Sequence, residues 1–571
     1  MSTLPSYLGQ LNAIESSFDE GLAAYEQNKS SRNDKIADKA IDDMNKSITE
    51  TLRQTCDLVR AAAQEGNLSA DDMRTLLMKA SDHENSVVDF TYGGESEYLH
   101  DFIPICCGNE VSDKGNDEGS GLDMGYLDIF AELLQTETWV PIRMIAGDSM
   151  MAMIGATGWK QRDPALALYP LVEEEGANVF ANQQDVDVGL ADVARELALD
   201  ETRKLAFVAD SSRIKSYKWT DDEDDVLPVH TLDSRGYEGA LLVRDGGAKL
   251  LRSGKSGFAV WDVDSLPTHG SNGRKIVGKK MRRENLDSWR DDDGGDEIEL
   301  SRGAPPTQSV AADALKNIEI WRAHPGNSNS VLAKHGERYS PSLVDIEAQQ
   351  IVTRYIGHGA HTTAIGTSKE DPNGFLTAAK DGGVRLYDVR LPAPVLAINH
   401  CTEMIFSALY EHIGGHPFII LGGSGSQQVK VWDVRGRVPL YQLSTGNNEV
   451  SDLAWDASLQ TLFAATECQY MDRMGSYHDY RPAKFRDFEK PRDDNDGDED
   501  MEDDEDYEDE DDEDDEDRCW PKRAYHTESS FGYPLDSGDH RIYSYKFKND
   551  ADVTILPSYG QATCGGGGYD W

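Results

Sequence analysis

A chain of 571 residues is too long for one ordinary core, and 38% hydrophobic with 8% aromatic residues is enough to pack two or more units. Its 104 acidic against 56 basic residues leave a net charge of −48, which argues against broad affinity for nucleic acid, because phosphate needs a basic face. Seven scattered cysteines (Cys56, Cys106, Cys107, Cys401, Cys468, Cys519, Cys564) form no Cys-x-x-Cys pair, and the histidine spacings match no zinc site. Reduced thiols, no metal, no cofactor and a nuclear or cytoplasmic setting are the expectation.

The start, "MSTLPSYLGQLNAIE", lacks the basic and apolar regions of a signal peptide. From there to residue 80 the pattern is helical. Leu8, Leu11, Ile14, Phe18, Leu22 and Tyr25 recur at three- and four-residue steps, as do Ile36, Ala40, Met44, Ile48, Leu52, Cys56 and Val59. Ser69 is placed to cap a third, shorter helix. The narrow stripes predict an antiparallel helical hairpin over 1–84, either packed on the body or serving as a dimerising or partner-binding coiled coil.

Residues 85–184 read as a connector that has room for a weak first unit. Its most apolar window, 139–159, contains Arg143 and Asp148 and is not expected to cross a membrane. From about 185 the period changes to two. "KLAFVADSSRIKSYKW" (204–219) and "AKLLRSGKSGFAVWDV" (248–263) share one layout, with Trp219 and Trp261 separated by 42 residues. "GVRLYDVR" (383–390) and "QVKVWDVRGR" (428–437) lie 45 positions apart. Short β-rich units of that length suit propeller blades.

The unit 361–400 parses into strands at "HTTAIGTS", "FLTAA", "VRLYDVR" and "PVLAINH", with Gly357-His358 just ahead and Tyr387 lying 29 residues after His358. This resembles the WD-repeat family, whose repeats run from a Gly-His pair to a Trp-Asp pair at about this distance. The resemblance implies a mainly β fold: a propeller of six to seven blades, seven favoured, over 185–571, with the seventh blade hidden in 136–184. It further implies a buried hydrogen-bonded network at His358 (or His361), Thr377, Asp381 and Tyr387, with Trp261-Asp262 and Trp432-Asp433 as intact third-strand pairs. Tyr387 in place of Trp is a departure, as is Ser-Gly-Ser where the 419–435 unit should carry a turn Asp.

After "LFAATEC" the last blade should turn at once. Instead 71 residues, 469–539, intervene before "HRIYSYKFKND", and 493–517 hold 21 Asp and Glu with no Lys or Arg. Such charge density predicts a disordered, solvated insertion, with "ADVTILPS" (551–558) as the fourth strand. Loop length is thermodynamically cheap, each doubling costing about 0.6 kcal/mol. The arm is either a solubilising spacer or a polyanion for basic partners such as histones.

The resemblance carries one more implication. "FLTAAKDGGVRLYDVR" (375–390) and "ILGGSGSQQVKVWDVR" (420–435) look like the sixteen-residue box of substrate receptors of cullin–RING ubiquitin ligases. Arg390 and Arg435 would then contact the ligase adaptor, a role that suits a bidentate guanidinium. Against this stands a local role for Arg, capping a strand or pairing with a neighbouring carboxylate.

Within "GRKIVGKKMRREN", Arg274, Lys275, Lys279, Lys280, Arg282 and Arg283 suit a nuclear import signal, a solvated loop, or a partner for the acidic 291–299 stretch. The sequence holds no G-x-S-x-G elbow and no phosphate loop. The expectation is a non-enzymatic protein-interaction scaffold, followed by a ligase substrate receptor and then an acidic histone chaperone, with no direct nucleic acid and no membrane among its partners.

Overall fold

Four-stranded antiparallel sheets recur seven times between Glu132 and Lys546 in the computed structural model. The structure describes residues 3–29, 34–92, 132–171, 179–220, 226–282, 298–336, 338–398, 404–423, 428–446, 448–468, 470–476, 483–484, 539–547 and 563–564. Blades one to six span 140–187, 196–233, 241–311, 318–354, 362–398 and 405–444, each a meander of consecutive strands. The hidden first blade is therefore real, and the apolar window read there supplies its first two strands, Val140–Ala146 and Met150–Thr157. Among the described residues no helix is long and apolar enough to cross a membrane.

Period-two patterning explains why the blades stack. In blade five the strand Gly374–Ala379 is buried at all six positions. Phe375 joins a core with Leu332 and Leu343 of blade four, while Leu376 joins Ile419 and Leu421 of blade six. Successive side chains point to opposite faces, so a strand covered on both faces reads as a continuous apolar run. Tyr387 and Leu386 divide in the same way between the two cores.

Blade seven closes the ring. Glu449–Asp456, Thr461–Glu467 and Arg541–Lys546 pair in order, and the free edge of Arg541–Lys546 is taken by Glu132–Glu137, with Leu133 opposite Tyr545 and Glu137 opposite Arg541. Both edges of Arg541–Lys546 are thereby occupied. The 551–558 stretch read as its fourth strand lies outside the described residues, as do the acidic run 493–517 and most of 469–539.

Three helices precede the ring: α1 Leu4–Asn28, α2 Asp34–Glu65 and α3 Ala70–Tyr92. The hairpin reading thus gains a full third member, which runs twelve residues past the helical stretch seen in the sequence. Ser69 caps α3, accepting from the Asp72 N–H at 3.1 Å and donating back to the Asp72 carboxylate at 2.8 Å. The stripes of α1 and α2 bury against each other and against Leu76, Leu77, Ala80, Val87 and Val88 of α3, within one chain. Tyr339 and Ile356 of the propeller complete that core.

Between its third and fourth strands blade three carries a long insertion, 263–307. Its Ala304 pairs in parallel with Leu232, so the insertion covers the outer edge of blade two. Lys215 (2% exposed side chain) and Arg213 anchor it from below: Arg213 donates to the Glu299 carbonyl at 2.6 Å, and Lys215 faces the Glu299 carboxylate at 3.9 Å.

Candidate protein-interaction surface

Arg390 and Arg435 sit just beyond the third strands of adjacent blades, after Val384–Asp388 and Gln428–Asp433. Both make the same local clamp. The Arg390 backbone N–H donates to Asp388 Oδ1 at 2.9 Å, its Nε donates to the same oxygen at 2.7 Å, and a terminal nitrogen reaches Oδ2. The Arg435 N–H donates to Asp433 Oδ1 at 2.8 Å, its Nη2 to Oδ2 at 2.8 Å, and its Nη1 to His416 Nδ1 at 2.6 Å. The fork of Arg390 holds the Asp388 carboxyl below its ordinary range, and at Asp433 the hydrogen bonds from Arg435 outweigh the opposing effect of burial. Arg390 keeps 70% of its side chain exposed and Arg435 35%. A third clamp, Asp233–Arg235, ends a fourth strand in blade two, so the same local device also occurs away from the third strands.

In blade five His358 Nε2 lies 2.9 Å from Thr377 Oγ1, its Nδ1 lies 3.3 Å from the Tyr387 hydroxyl, and the Tyr387 hydroxyl also donates to the Ile356 carbonyl at 3.0 Å. Burial, reinforced by Arg385, pushes the imidazole well below its ordinary pKa, so it is neutral. Asp381 does not join the ring of His358. It accepts from the Gly359 and Gly383 amides at 3.1 and 2.8 Å and pairs with the buried Arg385 at 2.9 Å. A Cβ at Gly383 would stand 2.5 Å from that guanidinium, which would have to shift away from Asp381. Blade seven substitutes Asn448 for the histidine, with its Nδ2 at 3.2 Å from Thr466 Oγ1.

Trp432 is buried in the core shared by blades five and six, and Asp433 is consumed by Arg435. Trp261 donates from Nε1 to the Ala304 carbonyl at 3.3 Å, pinning the long insertion, whereas Asp262 is exposed, its backbone N–H donating to Thr307 Oγ1 at 3.0 Å and its carbonyl accepting from Ser265 Oγ at 2.9 Å. Arg274, Lys275, Lys279, Lys280 and Arg282 are exposed on that insertion, and Arg283 lies outside the described residues. Their backbone is held: the Val277 N–H donates to Ser301 Oγ at 2.8 Å, Met281 to the Leu300 carbonyl at 2.8 Å, and Arg302 to the Lys279 carbonyl at 2.9 Å.

One dense polar junction was missed by the sequence reading. Helix α3 docks on the ring through Ser81, Asp82, Glu84 and Asn85. Glu84 Oε1 accepts from the backbone N–H groups of Gly357 and His358, both at 2.6 Å. Asn85 Oδ1 accepts from the Tyr339 N–H at 3.2 Å, the Ser81 and Ser340 hydroxyls meet at 3.1 Å, and Asp82 takes Arg338 at 2.9 Å and Arg354 at 3.2 Å. Burial pushes the Glu84 carboxyl up to about 7, although both amides, Arg385 and Ser340 act the other way. A signal existed: Ser81 and Glu84 fall in phase with Leu77, Ala80, Val87 and Val88, and polar residues on an apolar helix face mark a docking surface.

No family model matches the chain. Over 129 residues, 22% of its length, it is 30% identical to a U3 small nucleolar RNA-associated protein 15 homolog of Gallus gallus. The match covers 24% of that relative, so the chain spans about a quarter of it. Among solved structures the WD40 β-propeller domain of Doa1 aligns with a TM-score of 0.38 and 11% identity, covering 58% of this chain and 91% of that domain. With seven four-stranded blades and a ring closed by an N-terminal strand, the molecule has the fold of a seven-bladed β-propeller.

Proposed function

We propose that this chain is a non-enzymatic platform on which other proteins assemble, acting in the nucleus as part of an RNA-associated particle. The observation that carries the platform reading is the docking of α3. The face around Gly357-His358 already binds a helix in cis, through backbone amides and paired arginines. The name of the partly matching relative supports the particle and the compartment, and the pinned basic ledge at 274–282 supports nuclear import. Affinity purification of the tagged full chain from nuclear extract tests the reading. Recovery of a stoichiometric set of proteins, retained after nuclease treatment, is the expected result, while loss of every partner on nuclease treatment would reject a protein platform.

A second reading, a cullin–RING substrate receptor, draws on the exposed Arg390 and the paired clamps of adjacent blades. It requires that the adaptor co-purify and that Arg390→Ala/Arg435→Ala abolish this. The histone-chaperone reading rests on charge alone, and it requires salt-sensitive histone binding that weakens when 493–517 is deleted.

A further inference from the structure

A cavity of about 340 Å³ lies beside the docked α3, between the turn entering blade four and the outer strand of that blade. Lys316, His335, Arg338 and Arg354 line it, with Asp313 and Asn317. In a chain with net charge −48, three permanent cations around one hollow need an explanation.

Their existing partners do not neutralise them. Arg338 and Arg354 both donate to the same oxygen, Oδ1 of Asp82, at 2.9 and 3.2 Å, so two guanidinium groups share one carboxylate that is itself 58% exposed. Among the described residues Lys316 pairs only with Asp313, 3.4 Å away and 98% exposed, and so largely screened by water. Arg354 is 4% exposed, and its Nε has no acceptor among the described residues. A buried guanidinium donor without an acceptor is costly, and like charges held together are costlier still. His335 adds no charge. Its nitrogens are taken by the Lys316 carbonyl at 3.1 Å and Ser342 Oγ at 3.0 Å, and burial keeps it neutral.

We propose that this cavity is a binding site for a phosphate dianion, free or as a phosphomonoester on a partner's side chain. The chemistry fits: two guanidinium forks offer bidentate donors and a lysine adds a point charge. Asp82 is the competing internal anion, which links occupancy of the cavity to the grip of the ring on α3.

Calorimetry and thermal unfolding of the full chain test the site, with inorganic phosphate against chloride at matched ionic strength and with phosphoserine as the second probe, each up to about 20 mM. Phosphate should bind and raise the melting temperature. Lys316→Ala/Arg338→Ala, at two partly exposed positions, should weaken binding about tenfold, and Lys316→Gln alone about threefold, while Asp82→Asn should strengthen it. Phosphoserine competing with phosphate assigns the ligand to a modified side chain, and phosphate alone assigns it to the free ion. The proposal is overturned if neither probe binds, or if binding survives in the double variant with unchanged affinity. It is equally overturned if a single-stranded RNA oligonucleotide binds through these residues and both small probes do not.

Discussion

Glu84 of helix α3 and His358 of blade five are joined by a 2.6 Å hydrogen bond from the His358 N–H to Glu84 Oε1. The same oxygen takes the Gly357 N–H, while the His358 ring faces away to Thr377 and Tyr387. One histidine therefore ties the helical unit to the ring with its backbone and the blade to itself with its side chain.

The junction titrates. A carboxyl raised to about 7 keeps its proton in the folded state between about pH 4.5 and 7, where the unfolded chain has lost it. Stability from this group is thus greatest at the acid end of that window and falls as pH rises through it, by roughly 3 kcal/mol in all. Glu411 and Glu449, also raised to about 7 by burial, act with the same sign, and His230, depressed to about 4, acts with the opposite one. The measurement is therefore a difference: chemical unfolding at pH 5 and pH 8, in which Glu84→Gln should show a smaller fall than the parent. An identical pH slope would remove Glu84 from the linkage.

Glu84→Ala leaves the Gly357 and His358 amides without an acceptor and should cost about 1–3 kcal/mol. Faster hydrogen exchange at these two amides, with blade two unchanged, is the expected signature.

The insertion of blade three hangs on buried charge. Burial lowers the Lys215 amine to about 8, with Glu299 opposing. Glu299→Ala removes the carboxylate that faces the buried Lys215, while Arg213 keeps its backbone carbonyls, and it should cost about 3–5 kcal/mol and open 263–307 to protease. Lys215→Met with Glu299→Gln should lie much closer to the parent. Equal losses in the two variants would show that the charge pairing is immaterial.

Trp432→Ala should cost about 3–5 kcal/mol, since the indole is 1% exposed among Leu421, Ile419 and Leu396. Arg390→Ala, at the surface, should leave the melting temperature where it is. A partner lost with Arg390→Ala is then lost through contact and not through unfolding.

Ring closure gives the last test. Removing residues 1–130 takes away the helices, whereas removing 1–139 also bares the Arg541–Lys546 edge. The longer truncation should melt lower and aggregate more, and equal behaviour would mean that the closing strand is dispensable.

The apolar run of Gly374–Ala379, the alternation of Gln428–Asp433, the 45-residue spacing and the helical stripes made blades and helices legible, because local patterning records which faces meet a core. His358, Thr377 and Tyr387 could be placed together for the same reason, since they belong to one repeat. What local pattern cannot encode is pairing across hundreds of residues. Glu132–Glu137 closes on a strand that starts at Arg541, and Glu84 grips amides more than 270 positions away. In neither case do neighbouring residues indicate the partner, since a free strand edge and an in-phase carboxylate look the same in sequence whatever meets them. The repeating unit is thus set by the sequence alone, while the closure of the ring and the seat of its helices come from tertiary contacts, where buried amides and charges must find partners wherever the chain brings them.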